Sequence, residues 1–294
     1  MKKIFTDKEV AAKLDEKGMM FSSANSINWG RLVPQIVYYI SAYCDLIENG
    51  TIKNGDPVNV VVPTGNFGNI LAAYYAKKMG INIGKLICAS NANNVLTDFL
   101  KTGVYDRNRK FFTTTSPSMD ILISSNLERL LFHLCGENDE TIRDWMGKLN
   151  NEGKYEVCDT VKGLIAELFD AGCCDDEKTA ETIKAVYDDG YLCDTHTAVA
   201  VKVYEEYVKA TGDKTETVIA STANPYKFSA AVLKAVKGEI PADADEFEQV
   251  DLLREATGEE CPEQLATLKG KTPRFTDCCE KQEMIDMVYR MLGI

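Results

Sequence analysis

The chain has 294 residues, 45% of them apolar and 27% charged, and 45 acidic side chains against 33 basic ones give a net charge of −12. This is the composition of a folded globular protein, with length for one large domain or two modest ones. It argues against nucleic acid as a partner, because no Lys/Arg-rich stripe is present, and against a membrane span, because no apolar run approaches the roughly 20 residues needed.

From the start of the chain, Thr6-x-x-Glu9 predicts a capping box opening a short helix that stops at Gly18. "MMFSSA" then suggests a strand. In the following segment Leu32, Val33, Ile36, Val37, Ile40, Tyr43, Cys44 and Ile47 recur as one face of a long helix. Pro34 requires that helix to begin near Gly30 or to kink. "VNVVV" (58–62) has the continuous apolar character of a parallel strand covered on both faces. A helix from about Asn69 to Met79 and a strand "KLICAS" (85–90) complete a βαβ unit.

From about 117 to 192 the pattern becomes a series of short helices, including "TVKGLIAELFDAG", and predicts a mostly helical insertion. The α/β rhythm returns with the helix after Asp194, the strand "TVIAS" and the helix "KFSAAVLKAVKG". The acidic, proline-punctuated stretch 239–263 is expected to be surface loop, before a last helix near 280–292. The fold class expected is α/β: an open, mostly parallel sheet flanked by helices.

Ten cysteines without a CxxC pair, and only two histidines, give no support to a metal site. The opening residues lack the apolar stretch of a secretory signal. Cytosol and reduced thiols, mostly small buried apolar groups, are the expectation.

The chemistry gathers where the first parallel strand hands over to a helix. Thr64-Gly65-Asn66-Phe67-Gly68-Asn69 lies at a strand's carboxyl end, where ligands collect in open α/β sheets. Free amides at a helix start favour phosphate, the glycines admit close approach, and the loop has no acid. A P-loop is excluded because Asn69-Ile70, not Lys-Ser/Thr, follows Gly68. A dinucleotide fingerprint is disfavoured, since a third glycine and an acid on the next strand are missing. A phosphate monoester and a plain tight turn both remain open. Ser221 and Thr222, at the end of another strand, could cap the next helix or meet a cofactor's ring nitrogen.

Five stretches in order, "SSANSINWGRLVPQ", "PTGNFGN", "TTTSPSMDILISSNLERLLF", "DTHTAVA" and "STANPYKF", resemble threonine synthase over most of the chain. That family is pyridoxal-phosphate dependent, with the tryptophan-synthase-β fold. The resemblance implies that Gly65, Asn66, Phe67, Gly68 and Asn69 hold the cofactor phosphate and that Thr222 meets the pyridine nitrogen. It also implies that Asn25, Ser26 and Arg31, with Lys227 as a further candidate, meet the phosphate of O-phospho-L-homoserine, which the family converts with water to L-threonine and phosphate. Asp194 either caps a helix or supports a catalytic His196, and His133 is expected to be structural.

The family's Schiff-base lysine lies in a Phe-Lys-Asp segment upstream of NSIN, and no such segment occurs here. The expectation is therefore a C-terminal portion: residues 1–25 as a remnant of the smaller cofactor-binding domain, and 26–294 as the large domain with an insertion at about 117–192. Such a chain would be inactive alone, would complement with the N-terminal segment in trans, and would self-associate through bared surface. Competing readings are a fold-related serine/threonine dehydratase or cysteine synthase type, and a non-catalytic phosphate-ligand-binding module.

Overall fold

The fold is that of a computed structural model describing residues 2–294; Met1 and the side chains of residues 2 and 3 lie outside the described residues. Two short helices open it, α1 (Lys2–Phe5) and α2 (Lys8–Asp15). The cap of α2 is Asp7, whose carboxylate accepts the amides of Glu9 (2.9 Å) and Val10 (3.3 Å), one residue beyond the expected Thr6. "MMFSSA" is irregular chain rather than a strand. Phe21 stacks on Phe5 at 5.4 Å, beside a cluster of Ile4, Val10 and Leu14, so its apolar surface is used without sheet pairing.

Helix α3 (Trp29–Glu48) begins one residue before Gly30, with the Asn28 side chain capping the Gly30 amide. It buries Leu32, Ile36, Tyr39 and Tyr43, whereas Val33, Val37 and Cys44, expected on the same face, are exposed. Pro34 lies in its second turn.

Strand β1 (Val58–Pro63), helix α4 (Gly68–Lys78) and strand β2 (Ile83–Ser90) form the expected βαβ unit, with β1 and β2 parallel. Every residue of β1 is buried. After α5 (Val95–Thr102), strand β3 (Val104–Asp106), α6 (Leu127–Leu134) and α7 (Asp139–Glu152), the short strand β4 (Lys154–Glu156) pairs antiparallel with β3. The helix read through "TVKGLIAELFDAG" stops early: α8 (Asp159–Leu168) gives way to strand β5 (Phe169–Cys173), parallel to β2. Burial of Phe169 and Ala171 against the sheet overrides the local helical preference. The nominal insertion thus supplies an edge of the main sheet. Helices α9 (Asp176–Asp188) and α10 (Thr195–Thr211) precede strand β6 (Thr217–Ile219), and the sheet order is β5-β2-β1-β6, all parallel.

The two-residue period of the strands divides the core. Val61, Ile87 and Ala89 face Val199, Ala200 and Val203 of α10, while Val60, Val62, Leu86 and Cys88 face the α3 and α4 side. The chain ends with α11 (Ser229–Lys237), α12 (Glu246–Thr257), α13 (Glu263–Ala266) and α14 (Met284–Leu292). The acidic stretch read as loop therefore contains α12. Asp245 accepts the Phe247 and Glu248 amides, Glu248 returns a bond to the Asp245 amide, and Leu253 is fully buried. Asp245→Ala is expected to cost about 1 kcal/mol, the usual value of such a cap, seen as a lower denaturant midpoint with an unchanged slope.

The ten thiols are unpaired: Cys88, Cys174 and Cys193 are buried, whereas Cys44, Cys158 and Cys278 are exposed, so the expectation of mostly buried thiols holds only in part. No metal-binding cluster occurs among the described residues, and none of their helices is long and apolar enough to cross a membrane.

Candidate functional site

The loop between β1 and α4 is built with its carbonyls turned inward. The Gly65 carbonyl accepts the Ser124 hydroxyl at 2.8 Å. The Asn66 carbonyl accepts both the backbone amide of Asn126 (3.1 Å) and its Nδ2 (2.8 Å). Phe67, the residue before α4, has φ 61°, ψ 4°, a left-handed conformation uncommon for a bulky residue, and no side chain caps the helix. Its ring, 1% exposed, is anchored against Phe169 at 5.8 Å. Packing of that ring holds the unusual backbone in place. Among the described residues the amides of 66–70 have no acceptor. Five N–H groups at the positive end of an 11-residue helix are thereby left for a ligand.

The glycines are required by neighbours on the protein side. A Cβ on Gly65 would lie 2.3 Å from the Ser118 carbonyl oxygen, and one on Gly68 would lie 2.5 Å from the Ser26 Cβ. Ser118 is itself held by α10: its amide donates to His196 Nε2 at 3.1 Å. Since Nε2 accepts, the proton sits on Nδ1, which donates to Asp194 Oδ1 at 3.0 Å. Asp194 also caps α10 through the His196 amide (2.8 Å) and receives the Thr197 hydroxyl. Burial pushes its carboxyl up, but the hydrogen bonds from His196 and Thr197 win and hold it below the usual carboxylate range. Asp194 therefore caps α10 and also holds the His196 ring, both of whose nitrogens are engaged.

The loop opens into a cavity of about 260 Å³ whose wall includes Ser26, Gln35, Ser118, His196, Thr222 and Lys227. Beside it, sharing Gln35, Asn69 and Thr222, lies a cavity of about 660 Å³ between α3 and β6 that Arg31, Tyr38 and Tyr39 help to line. No carboxylate lines either cavity, although the chain carries 45 acidic residues. Their cations are Lys227 and Arg31. The field inside therefore favours an anion against the overall charge. Tyr39 donates to Asn69 Oδ1, and burial raises its hydroxyl well above the ordinary range, so it stays a neutral donor.

The candidates from the sequence are distributed unevenly. The glycine loop, Ser26, Thr222 and Lys227 meet at the smaller cavity, and Arg31 lines the larger. Asn25 lines neither; its side chain accepts the Ile27 amide at 3.0 Å and shapes the turn before α3. His133 sits apart from both cavities, with Nε2 3.2 Å from the Tyr75 hydroxyl. Burial pushes the Cys88 and Cys193 thiols up to about 12, which leaves them inert. Sequence reasoning assigned no role to Ser118, Ser124, Asn126 or Arg129. All four lie in the stretch 113–132, quoted for its resemblance, and that was the available signal.

A family description, "Threonine synthase, C-terminal", matches residues 197–288. The chain is 47% identical over 241 residues to threonine synthase-like 1 of Homo sapiens, covering 81% of this chain and 32% of that protein. The crystal structure of threonine synthase from yeast superposes with a TM-score of 0.81 at 33% identity, covering 100% of this chain and 57% of that one. The PLP-bound threonine synthase from Brucella melitensis gives a TM-score of 0.71 at 39% identity, covering 86% and 51%. The chain thus spans between about a third and somewhat over half the length of these relatives.

Proposed function

We propose that this chain, related to the threonine synthases over the portion of them that it spans, is the phosphate-gripping part of a pyridoxal-phosphate-dependent carbon–oxygen lyase. One observation carries the reading: five amides without an acceptor, in a wall free of carboxylates, on a chain of net charge −12. A phosphate monoester fits there, because the loop of Gly65, Asn66, Phe67, Gly68 and Asn69 presents the amides of 66–70 as donors in a fixed array. Thr222, exposed on both cavities, is placed to meet a ring nitrogen with a neutral hydroxyl. The second cavity would take the phosphate of O-phospho-L-homoserine, with Arg31 as a two-pronged donor on its wall, while Ser26 and Lys227 stand on the wall of the smaller cavity beside it. Asn25 acts through the turn that delivers Ser26 and Arg31.

Pyridoxal phosphate, when bound, supplies an electron sink for breaking bonds next to the amino carbon. The residues of this chain bind and orient both phosphates. Lys227 is the one lysine on the cavity walls. We propose that the amine of the reaction comes from the Phe-Lys-Asp segment that this chain does not contain, with 1–25 belonging to the smaller domain and 26–294 to the large one, so that the chain alone is inactive and a segment carrying that lysine complements it in trans. The exposed Trp29, Val33 and Val37 of α3 and the half-buried edge strand β6 would make the isolated chain self-associate. Ten unpaired thiols suit a reducing compartment, and the cytosol is where we place it.

Pyridoxal phosphate is expected to bind at least about tenfold more tightly than pyridoxal, the gain from charge-assisted hydrogen bonds to the ester. Absorbance titration and thermal shift would measure this. Equal affinity for the two would sink the reading. With the upstream segment added, release of phosphate from O-phospho-L-homoserine supports the assignment; turnover of serine instead would favour a dehydratase, and binding without either reaction would favour a non-catalytic module.

A further inference from the structure

Between the two segments assigned to phosphate lies a connector that neither assignment includes. Asn126, fully buried, sits just before α6 and uses its whole side chain. Arg129 Nη1 donates to Asn126 Oδ1 at 2.7 Å, which identifies the amide oxygen. Nδ2 then donates one proton to the Asn66 carbonyl (2.8 Å) and the other to the Ser26 hydroxyl oxygen (2.9 Å). Arg129 continues onto the same segment, donating to the carbonyls of Ser26 (3.0 Å) and Ile27 (2.6 Å). The Ser26 side chain is pressed against Gly68, where a Cβ would come within 2.6 Å of its Oγ.

We propose that Asn126 is a positioning residue that turns the Ser26 hydroxyl into a further donor of the glycine-loop cradle, so that one phosphate is held by segment 25–27 and loop 65–69 together. The chemistry follows from the hydrogen-bond inventory. A serine oxygen already accepting from Asn126 directs its own proton elsewhere, and Ser26 lines the cavity onto which the loop opens. Asn126 also occupies the Asn66 carbonyl, which commits that peptide to an inward oxygen. Aspartate there would lose both donated bonds; glutamine would overreach. The inference rests on the phosphate-binding reading above.

Its test measures binding of pyridoxal phosphate and of pyridoxal to the wild type, Ser26→Ala, Asn126→Ala and the double variant. Ser26→Ala is expected to weaken the phosphate ester about tenfold, the usual loss of a hydrogen bond to a charged group, and to leave pyridoxal unchanged. A purely structural role would weaken both. In the Asn126→Ala background the serine substitution should cost less than about twofold, because its hydroxyl is no longer oriented. Equal losses in the two backgrounds would overturn the proposal. Hydrogen exchange without ligand provides an independent arm: Asn126→Ala should speed exchange both at 66–70 and at 25–29, and an unchanged rate at either segment in a folded variant would also overturn it. If the wild type does not prefer the ester, the phosphate reading fails, and the exchange arm alone decides whether the connector exists. Should Asn126→Ala not fold, Asn126→Asp carries the same comparisons.

Discussion

Gly65→Ala is expected to abolish the preference for a phosphate ester and to destabilise the fold by about 3 kcal/mol, the upper end for forcing a methyl into a packed site. The new Cβ would stand 2.3 Å from the Ser118 carbonyl oxygen, inside any contact that real atoms make. Ser118 cannot retreat freely, since its amide is tied to His196. The loop must move instead, and its amides move with it. Losing two charge-assisted bonds would weaken phosphate-ester binding on the order of a hundredfold. Gly68→Ala provides the control. Its clash is with the side chain of Ser26, so Ser26→Gly should restore most of its stability, whereas no single side-chain change should rescue Gly65→Ala. Titration calorimetry and thermal melts separate the two. Retention of wild-type binding by Gly65→Ala would remove the loop from the site.

His196→Ala should be the most destabilising single change at the site, by about 4 kcal/mol. It leaves the Ser118 amide without its acceptor and withdraws a donor from a buried carboxylate, each costing roughly 1–3 kcal/mol, and it empties the space where the ring packs on Phe228 at 4.7 Å. His196→Gln, which can still accept from Ser118, should lose less. The partner carboxyl adds a pH signature. Asp194 is held below the usual range, so its contribution is fully present above about pH 4, the ordinary value for an unfolded aspartate, and is lost as pH falls through the depressed native value. Denaturant midpoints at pH 5 and pH 3 should therefore differ more for the wild type than for Asp194→Asn. Identical acid sensitivity in the two would show that this pair does not couple to folding.

Most of the sheet was legible because burial leaves a local trace. The continuous apolar run 58–62 became a wholly buried strand, and the helical apolar period that follows Gly68 became α4. Errors arose where a distant partner decided the outcome. Phe169 to Cys173 continues a helical pattern, yet β2's open edge took it as a strand. "MMFSSA" is apolar enough for a strand but pairs with no edge, and Phe21 settled on Phe5. Acidic composition concealed α12, although Asp245 and Glu248 have the spacing of a capping box.

The sequence by itself determined that a glycine loop free of acids would stand at the carboxyl end of a buried parallel strand, and it carried the motifs shared with threonine synthases. Both follow from short-range patterns. Only the tertiary structure decided which way the peptides of that loop face. Their carbonyls are claimed by Ser124 and Asn126, some 60 residues along the chain, and Ser26 is drawn in by Arg129 across 103. Hydrogen bonds between segments so far apart leave no periodicity to read, because each depends on where the core has placed its partner.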